Sequence, residues 1–417
     1  MPAGSPHQGG SIGLYVVWIL LLAATLPWRA GVFFDGAIDS VVVSKALISL
    51  VALTTAVLVA GAGRQALEVP ASPLIVLASY LAVTIIGGYA HGTLMAAAIV
   101  AVRVAILVAT IALLTARWTP YQVMRALVHV MAVLVVAATI SGLPTIASGR
   151  LRGAVPPMNP NELALLASVC FLWIFAKMLR ARETPVELLA AGGFAGITLL
   201  TGSRAGLAAL CVAIVFMALR AIALTPRSFA AVMMLGPVFA YIAFGTDLIA
   251  SVFLRGGERS VTTLNSRTIA WNAALTSDRD PWETWFGAGL AQKKIEVPGQ
   301  WWTSQLLDSS WISALVQGGL IGLALVAVLV ATTIMQSLAL NKASAALWLG
   351  LTAYLATRGL LESALFDSSV SFMVLVTALL GARMNVTTSE HTTRHPPEAA
   401  RFDSGNARES TSTISFR

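Results

Sequence analysis

Residues 94–115 read LMAAAIVAVRVAILVATIALLT and contain one charged side chain, that of Arg103. A membrane-spanning helix needs about 20 mostly apolar residues, so this run is long enough to cross a bilayer. Similar runs recur along the chain between short polar breaks, with approximate cores at 12–28, 41–62, 73–90, 94–115, 123–146, 163–179, 186–202, 205–224, 229–249, 310–336, 344–361 and 369–384. The pattern predicts an all-α fold, a polytopic membrane helical bundle of about twelve transmembrane helices.

The overall composition supports this fold class. Of 417 residues, 57% are hydrophobic and only 11% are charged. Soluble globular domains carry roughly 25% charged residues, so this chain has too few polar groups to cover its outside in water. The composition therefore excludes a soluble enzyme.

Several common functional chemistries have no sequence support. The two cysteines, Cys170 and Cys211, lie inside apolar runs, and the five histidines show no spacing typical of metal ligands. The chain has no P-loop and no CxxC pair. We therefore expect no metal and no cofactor. The net charge of +8 comes from scattered basic residues in the connections, which is typical of membrane topology signals and not of a nucleic-acid partner.

The distribution of Lys and Arg predicts the orientation and the organisation of the chain. Both termini are expected in the cytoplasm, with transmembrane helices 1 to 9 in residues 1–249 and helices 10 to 12 in residues 310–384. Between them, residues 250–309 form one long, partly helical external loop that is rich in tryptophan. Residues 385–417 are polar and predict a disordered cytoplasmic tail.

Two arginines on the external side are candidate ligand-binding groups. Arg204 follows Ser203 in TGSRAG (residues 201–206), where small residues allow close approach to the backbone. The alternative is an arginine that snorkels at a helix end. Arg267 precedes Trp271 by four positions, so the two share one helix face, and its alternative is a solvated loop charge.

Two further arginines need a partner. Arg358 lies four residues before Glu362, the spacing of an intrahelical ion pair. Arg103 lies inside a span, where an ionised group costs about 3 kcal/mol, so it is expected to face the bundle interior or a wet cavity. Several arginines on one side of a bundle suit a phosphate or diphosphate, because the guanidinium fork binds phosphate oxygens bidentately. At a membrane surface, a diphosphate with an apolar tail is a lipid-linked sugar.

Short motifs resemble those of the bacterial O-antigen ligase and O-antigen polymerase superfamily. They are PMNPNELA at 157–164, TGSRAG at 201–206, Arg267 with Trp271, WFGAG at 285–289, DSSW at 308–311 and QGGLIG at 317–322. In the ligases, two arginines that match Arg204 and Arg267 hold the donor diphosphate, and a histidine activates the acceptor hydroxyl. This chain has Asp308 at the position of that histidine. A carboxylate can also act as a general base, so the reaction class remains the same.

The resemblance implies a metal-independent glycosyltransferase that uses a polyprenyl-diphosphate glycan donor at the outer face of the bacterial inner membrane. The expected catalytic residue is Asp308, and the expected substrate-binding residues are Arg204, Arg267, Trp271, Ser203, Arg358 and Asn161. The absence of the histidine favours a polysaccharide or O-antigen polymerase. Transfer to a lipid A core by an O-antigen ligase, and transport or flipping of anionic lipid-linked sugars, are the alternatives.

The expected partners follow from the same resemblance. They are the polyprenyl-diphosphate-linked glycan donor, a glycan or lipid-linked acceptor, and membrane lipid. A chain-length regulator or another polysaccharide assembly protein remains open as a further partner.

Overall fold

The computed structural model describes residues 10–28, 40–61, 67–180, 183–221, 261–297, 304–363 and 365–394. The first half of the chain contains α1 (Gly10–Thr25), α2 (Ser40–Gly61), α3 (Ala71–Ala90), α4 (Leu94–Arg117), α5 (Pro120–Gly142), a 3-10 segment (Leu143–Ser148), α6 (Pro160–Met178), α7 (Pro185–Leu200) and α8 (Arg204–Ala221). The second half contains α9 (Val261–Thr276), α10 (Pro281–Phe286), β1 (Lys294–Glu296), β2 (Ser304–Leu306), α11 (Ser310–Ala339), α12 (Lys342–Leu361) and α13 (Val370–Arg394).

The described helices confirm a polytopic all-α membrane protein. Seven are long and apolar enough to cross a membrane, and four shorter ones are also apolar. These helices coincide with the predicted spans, except that the predicted span 229–249 lies outside the described residues. Large apolar side chains such as Leu58 (69% exposed) and Leu189 (79% exposed) lie on the outside of the bundle, where lipid would replace water as their neighbour.

The structure differs from the sequence prediction at two places. The long connection predicted at residues 250–309 contains a short antiparallel ladder, β1 with β2, in addition to helices. Strands of three residues carry no periodic signal, so the sequence could not reveal them. At the C-terminus, α13 continues past residue 384 to Arg394, because extending a formed helix by one residue adds a hydrogen bond at little cost. Residues 385–394 of the predicted tail are therefore helical, and residues 395–417 lie outside the described part.

A break in α11 shapes the interior of the bundle. Gly319 has φ 61° and ψ −161° inside the helix, a conformation that only glycine adopts easily. The break frees the carbonyls of Val316 and Gln317, and they accept hydrogen bonds from the N–H groups of Ala288 (2.8 Å) and Gly289 (3.0 Å). The WFGAG and QGG motifs therefore meet in space, and the connection after α10 is docked against α11.

Candidate functional site

A cavity of about 410 Å³ lies where the N-terminal ends of α6, α11 and α13 meet the C-terminal ends of α1 and α12. A helix N-terminus carries a partial positive charge of about half an elementary charge, so three converging N-termini favour an anion. The charged side chains among the described lining residues are Glu162, Arg267, Lys293, Asp308, Arg358, Glu362 and Asp367.

The Glu362 carboxylate contacts side chains from several of the elements that line the cavity. Its Oε1 accepts hydrogen bonds from Asn161 Nδ2 at 2.6 Å and from Arg267 Nη2 at 3.2 Å. Its Oε2 lies 4.0 Å from Nη2 of Arg358. Burial raises the pKa of Glu362, and the charges of Arg358 and Arg267 oppose this rise. One carboxylate thus links α6, α9 and the end of α12.

Backbone contacts fix the position of Glu362. Its carbonyl oxygen accepts from the N–H of Ser310 at 3.0 Å and from the Ser310 hydroxyl at 2.7 Å. Arg358, only 6% exposed, donates to Ser371 Oγ at 3.2 Å and to the Asn161 carbonyl at 3.3 Å. The predicted pair of Arg358 with Glu362 is therefore one contact in a network that joins α6, α11, α12 and α13.

The side chains of Asp308 and Arg267 face each other just before the N-terminus of α11. Asp308 Oδ2 lies 3.7 Å from Arg267 Nε, and the Asp308 side chain is 43% exposed. Burial raises the pKa of Asp308, and the positive charge of Arg267 opposes the rise. The next residue, Ser309, caps α11 by accepting a hydrogen bond from the Ile312 N–H at 3.4 Å. Asp308 is thus held just outside a helix N-terminus and is accessible from the cavity.

A second ion pair lies in the same cavity. Lys293 Nζ lies 2.6 Å from Asp367 Oδ2, and both side chains line the cavity. Asp367 also accepts from the Ser368 N–H at 2.7 Å. Burial alone would raise the pKa of Asp367, but Lys293, this N–H and the charge of Arg103 together hold it below its usual value. Arg103 contributes positive charge near this carboxylate, and its own Nε is buried with no hydrogen-bond partner among the described residues.

Arg204 and Ser203 are placed differently from Asn161, Arg267, Asp308 and Arg358, which line the cavity. Ser203 is buried and caps α8, because its hydroxyl accepts a hydrogen bond from the Gly206 N–H at 3.2 Å. Ser203 and Arg204, and also the predicted Trp271, are not among the described residues that line the cavity.

Arg150 connects this region with the cavity electrostatically. Its Nε donates to the Thr201 carbonyl at 2.9 Å. Burial lowers the pKa of Arg150, Arg152 and Arg204 lower it further, and Glu362 raises it. Among the described contacts, Arg204 shares none with the Glu362 network.

The aromatic residues of the connection have two different environments. Trp271 is partly buried on α9, and its Nε1 is buried with no hydrogen-bond partner among the described residues. Trp282 and Trp285 on α10 are 47% and 54% exposed, and Trp282 packs against Phe286 with ring centroids 4.6 Å apart. Trp301 and Trp302 lie outside the described residues.

Four charged residues of the cavity were not predicted from the sequence as site residues: Glu162, Lys293, Glu362 and Asp367. Glu362 was visible only as the i+4 partner of Arg358. Lys293 and Asp367 are 74 positions apart, and no local pattern connects them. Glu162 did lie in the quoted motif at 157–164, and a carboxylate in the first turn of a spanning helix could have indicated it.

Comparison with known proteins locates the resemblance in the chain. Residues 188–327 match a family model described as O-antigen ligase. The O-antigen ligase resemblance is confirmed. The matched segment extends from α7 into α11 and contains Arg204, Arg267 and Asp308, whereas Asn161, Arg358 and Glu362 lie outside it. Comparison with curated proteins gives no match. The O-antigen ligase match supports a membrane enzyme of the ligase or polymerase type that transfers glycans.

Proposed function

We propose that this protein is a membrane glycosyltransferase that polymerises or transfers glycan units from a polyprenyl diphosphate at the outer face of the bacterial inner membrane. We further propose that both termini are cytoplasmic and that the cavity faces outward, as the distribution of Lys and Arg favours. The observation that carries this function is the pairing of Arg267 and Arg358 through Glu362, at a point where three helix N-termini converge.

The donor diphosphate would bind where Glu362 now contacts the two arginines. Guanidinium groups bind phosphate oxygens in the same fork geometry as carboxylate oxygens. Glu362 therefore contacts the arginines where the diphosphate would bind, and the Asn161 amide supplies a further donor. Because burial already raises the pKa of Glu362, this carboxyl would take up a proton when the diphosphate displaces it. Arg204 and Arg150 add positive charge near this end of the bundle.

The proposed reaction uses Asp308 as the general base. The acceptor oxygen forms a bond to the anomeric carbon, and the bond from that carbon to the diphosphate oxygen breaks. The hydroxyl proton moves to Asp308, and the electron pair leaves with the diphosphate, whose charge Arg267 and Arg358 stabilise. The raised pKa of Asp308 suits this role, because a base works best when its pKa approaches the working pH.

The polymerase is our first candidate, because Asp308 occupies the position where the ligases have a histidine. The second is the O-antigen ligase, and the family match supports both types alike. The two candidates differ in the acceptor and not in the diphosphate site.

Reconstituted protein tests the proposal. It would be incubated with lipid-linked oligosaccharide extracted from the producing cells, with and without a lipid A core acceptor. Longer chains without the core indicate a polymerase, and transfer only to the core indicates a ligase. Arg267→Ala is expected to lower the rate about 100-fold or more. Arg279→Ala is the matched control, an arginine that contacts the Ala274 carbonyl on the same connection. A correctly folded Arg267→Ala variant with the parent rate would contradict the diphosphate role.

A further inference from the structure

We propose that the Lys293–Asp367 pair, with Gln317, binds the hydroxyl groups of the acceptor glycan and so forms the acceptor subsite of the cavity. This inference rests on the proposed glycan transfer. It assigns a binding role to a pair that lies apart from the Glu362 network.

Lys293 pairs with the residue that precedes the proposed base. The Leu307 N–H donates to the Lys293 carbonyl at 3.0 Å, which extends the β1–β2 ladder by one pair. Asp308 follows Leu307 directly, so Lys293 and Asp308 belong to the same section of cavity wall. A general base must lie within hydrogen-bond reach of the acceptor hydroxyl. An acceptor sugar whose hydroxyl reaches Asp308 therefore comes close to Lys293.

The two side chains of the pair have the chemistry to bind sugar hydroxyls. A carboxylate accepts hydrogen bonds from sugar hydroxyls, and an ammonium group donates hydrogen bonds to their oxygens. Lys293 and Asp367 are 22% and 26% exposed, so both remain accessible to a ligand. Because the pair is neutral as a whole, it suits an uncharged, hydroxyl-rich ring and not a second phosphate.

The polar groups of the proposed subsite are preorganised. Gln317 is 3% exposed and lines the cavity, and its Nε2 donates to the Gln292 carbonyl at 2.9 Å. This contact fixes the side-chain amide next to Lys293. The low pKa of Asp367 keeps its carboxylate ionised, so it can orient hydroxyls but is a poor proton acceptor. The two aspartates would thus have different roles. Asp308 would accept the proton, and Asp367 would bind the hydroxyls of the sugar ring.

The test distinguishes effects on acceptor binding from effects on donor binding. Asp367→Asn and Lys293→Gln would be assayed with lipid-linked oligosaccharide as donor and with the glycan released from it by mild acid as acceptor. We expect the acceptor KM to rise about tenfold or more, the loss of one charge-assisted hydrogen bond, with the donor KM changed less than about twofold. Binding of the released glycan alone, followed by saturation-transfer NMR, should weaken in the same variants.

The matched control is the Lys177–Glu187 pair, which joins α6 and α7 with similar exposure, 23% and 28%, and does not line the cavity among the described residues. Glu187→Gln should leave both KM values unchanged. Equal rises in donor and acceptor KM in Asp367→Asn, or an unchanged acceptor KM, would overturn the subsite. If the wild type binds the released glycan through Lys293 but transfers nothing, the proposed function is wrong and the binding site stands.

Discussion

Asp308 and Asp367 line the same cavity, and each faces a cation, yet their surroundings shift their pKa values in opposite directions. Asp367 lies 2.6 Å from Lys293 and accepts a backbone N–H, and its pKa is lowered. Asp308 lies 3.7 Å from Arg267, too far for a strong hydrogen bond, and burial raises its pKa. One residue type can therefore supply both a proton acceptor and a permanent anion, because the contact geometry sets the role.

The largest effect is expected when the proton acceptor is removed. Asp308→Asn should lower the single-turnover transfer rate about 100- to 10,000-fold, because the amide cannot accept the proton. Binding of the donor should persist, since Arg267 and Arg358 remain. Asp367→Asn is the companion variant, and a loss of the same size there would erase the distinction between the two aspartates.

Asp308→Asn also tests a predicted pH dependence of the transfer rate. Asp308 must be ionised to act as a base, so the wild-type rate should fall as the pH drops through its pKa. Because burial raises that pKa, the fall should begin at a higher pH than an ordinary aspartate would give. Rate–pH profiles of the wild type and Asp308→Asn would show this limb only in the wild type. Its persistence in Asp308→Asn would assign it to another group.

A smaller effect is expected from the docking of the connection that carries Lys293. In Gly289→Ala, the new Cβ would lie 2.8 Å from Gly88 Cα at a φ of +90°. Strain and overpacking together should destabilise the protein by about 2–4 kcal/mol, visible as a lower thermal transition in detergent. Gly149→Ala is the control, with a φ of +98° and no atom within 4 Å of its Cβ. It carries the backbone strain alone and should be affected less.

The smallest effect is expected at Glu362. Glu362→Gln keeps an oxygen that accepts from Asn161 and Arg267 but removes the charge that competes with the diphosphate. Donor affinity, measured with a polyprenyl diphosphate in detergent, should rise a few-fold. It should also no longer fall as the pH rises. A tenfold weaker affinity would instead mean that the charge of Glu362 is needed to position the arginines.

Features that depend on local segments of the chain were predictable from the sequence, and features without a local signal were not. The spans were predictable because a helix in a bilayer satisfies its backbone hydrogen bonds within one continuous apolar segment. Residues 94–115 carry that information locally, and α4 occupies Leu94–Arg117. The β1–β2 ladder and the extension of α13 were not predictable, since three-residue strands and a polar helix end leave no periodic signal.

The candidate site was predictable only in part. Asn161, Arg267, Asp308 and Arg358 were named from motifs and spacing, and they line one cavity in the structure. Ser203 and Arg204 were named in the same way, but the hydroxyl of Ser203 caps α8. Glu362 was seen only as a local partner, because its contact with Arg267 joins residues 95 positions apart.

The sequence by itself determined the membrane class, the helical spans and the residue types available for binding a charged lipid, because hydrophobicity and short motifs are local properties of the chain. Only the tertiary structure decided that Glu362 holds two arginines together and that two aspartates of one cavity differ in pKa. Those properties depend on distances between side chains from separate helices, and a difference of about 1 Å separates a strong charge-assisted hydrogen bond from a weak contact.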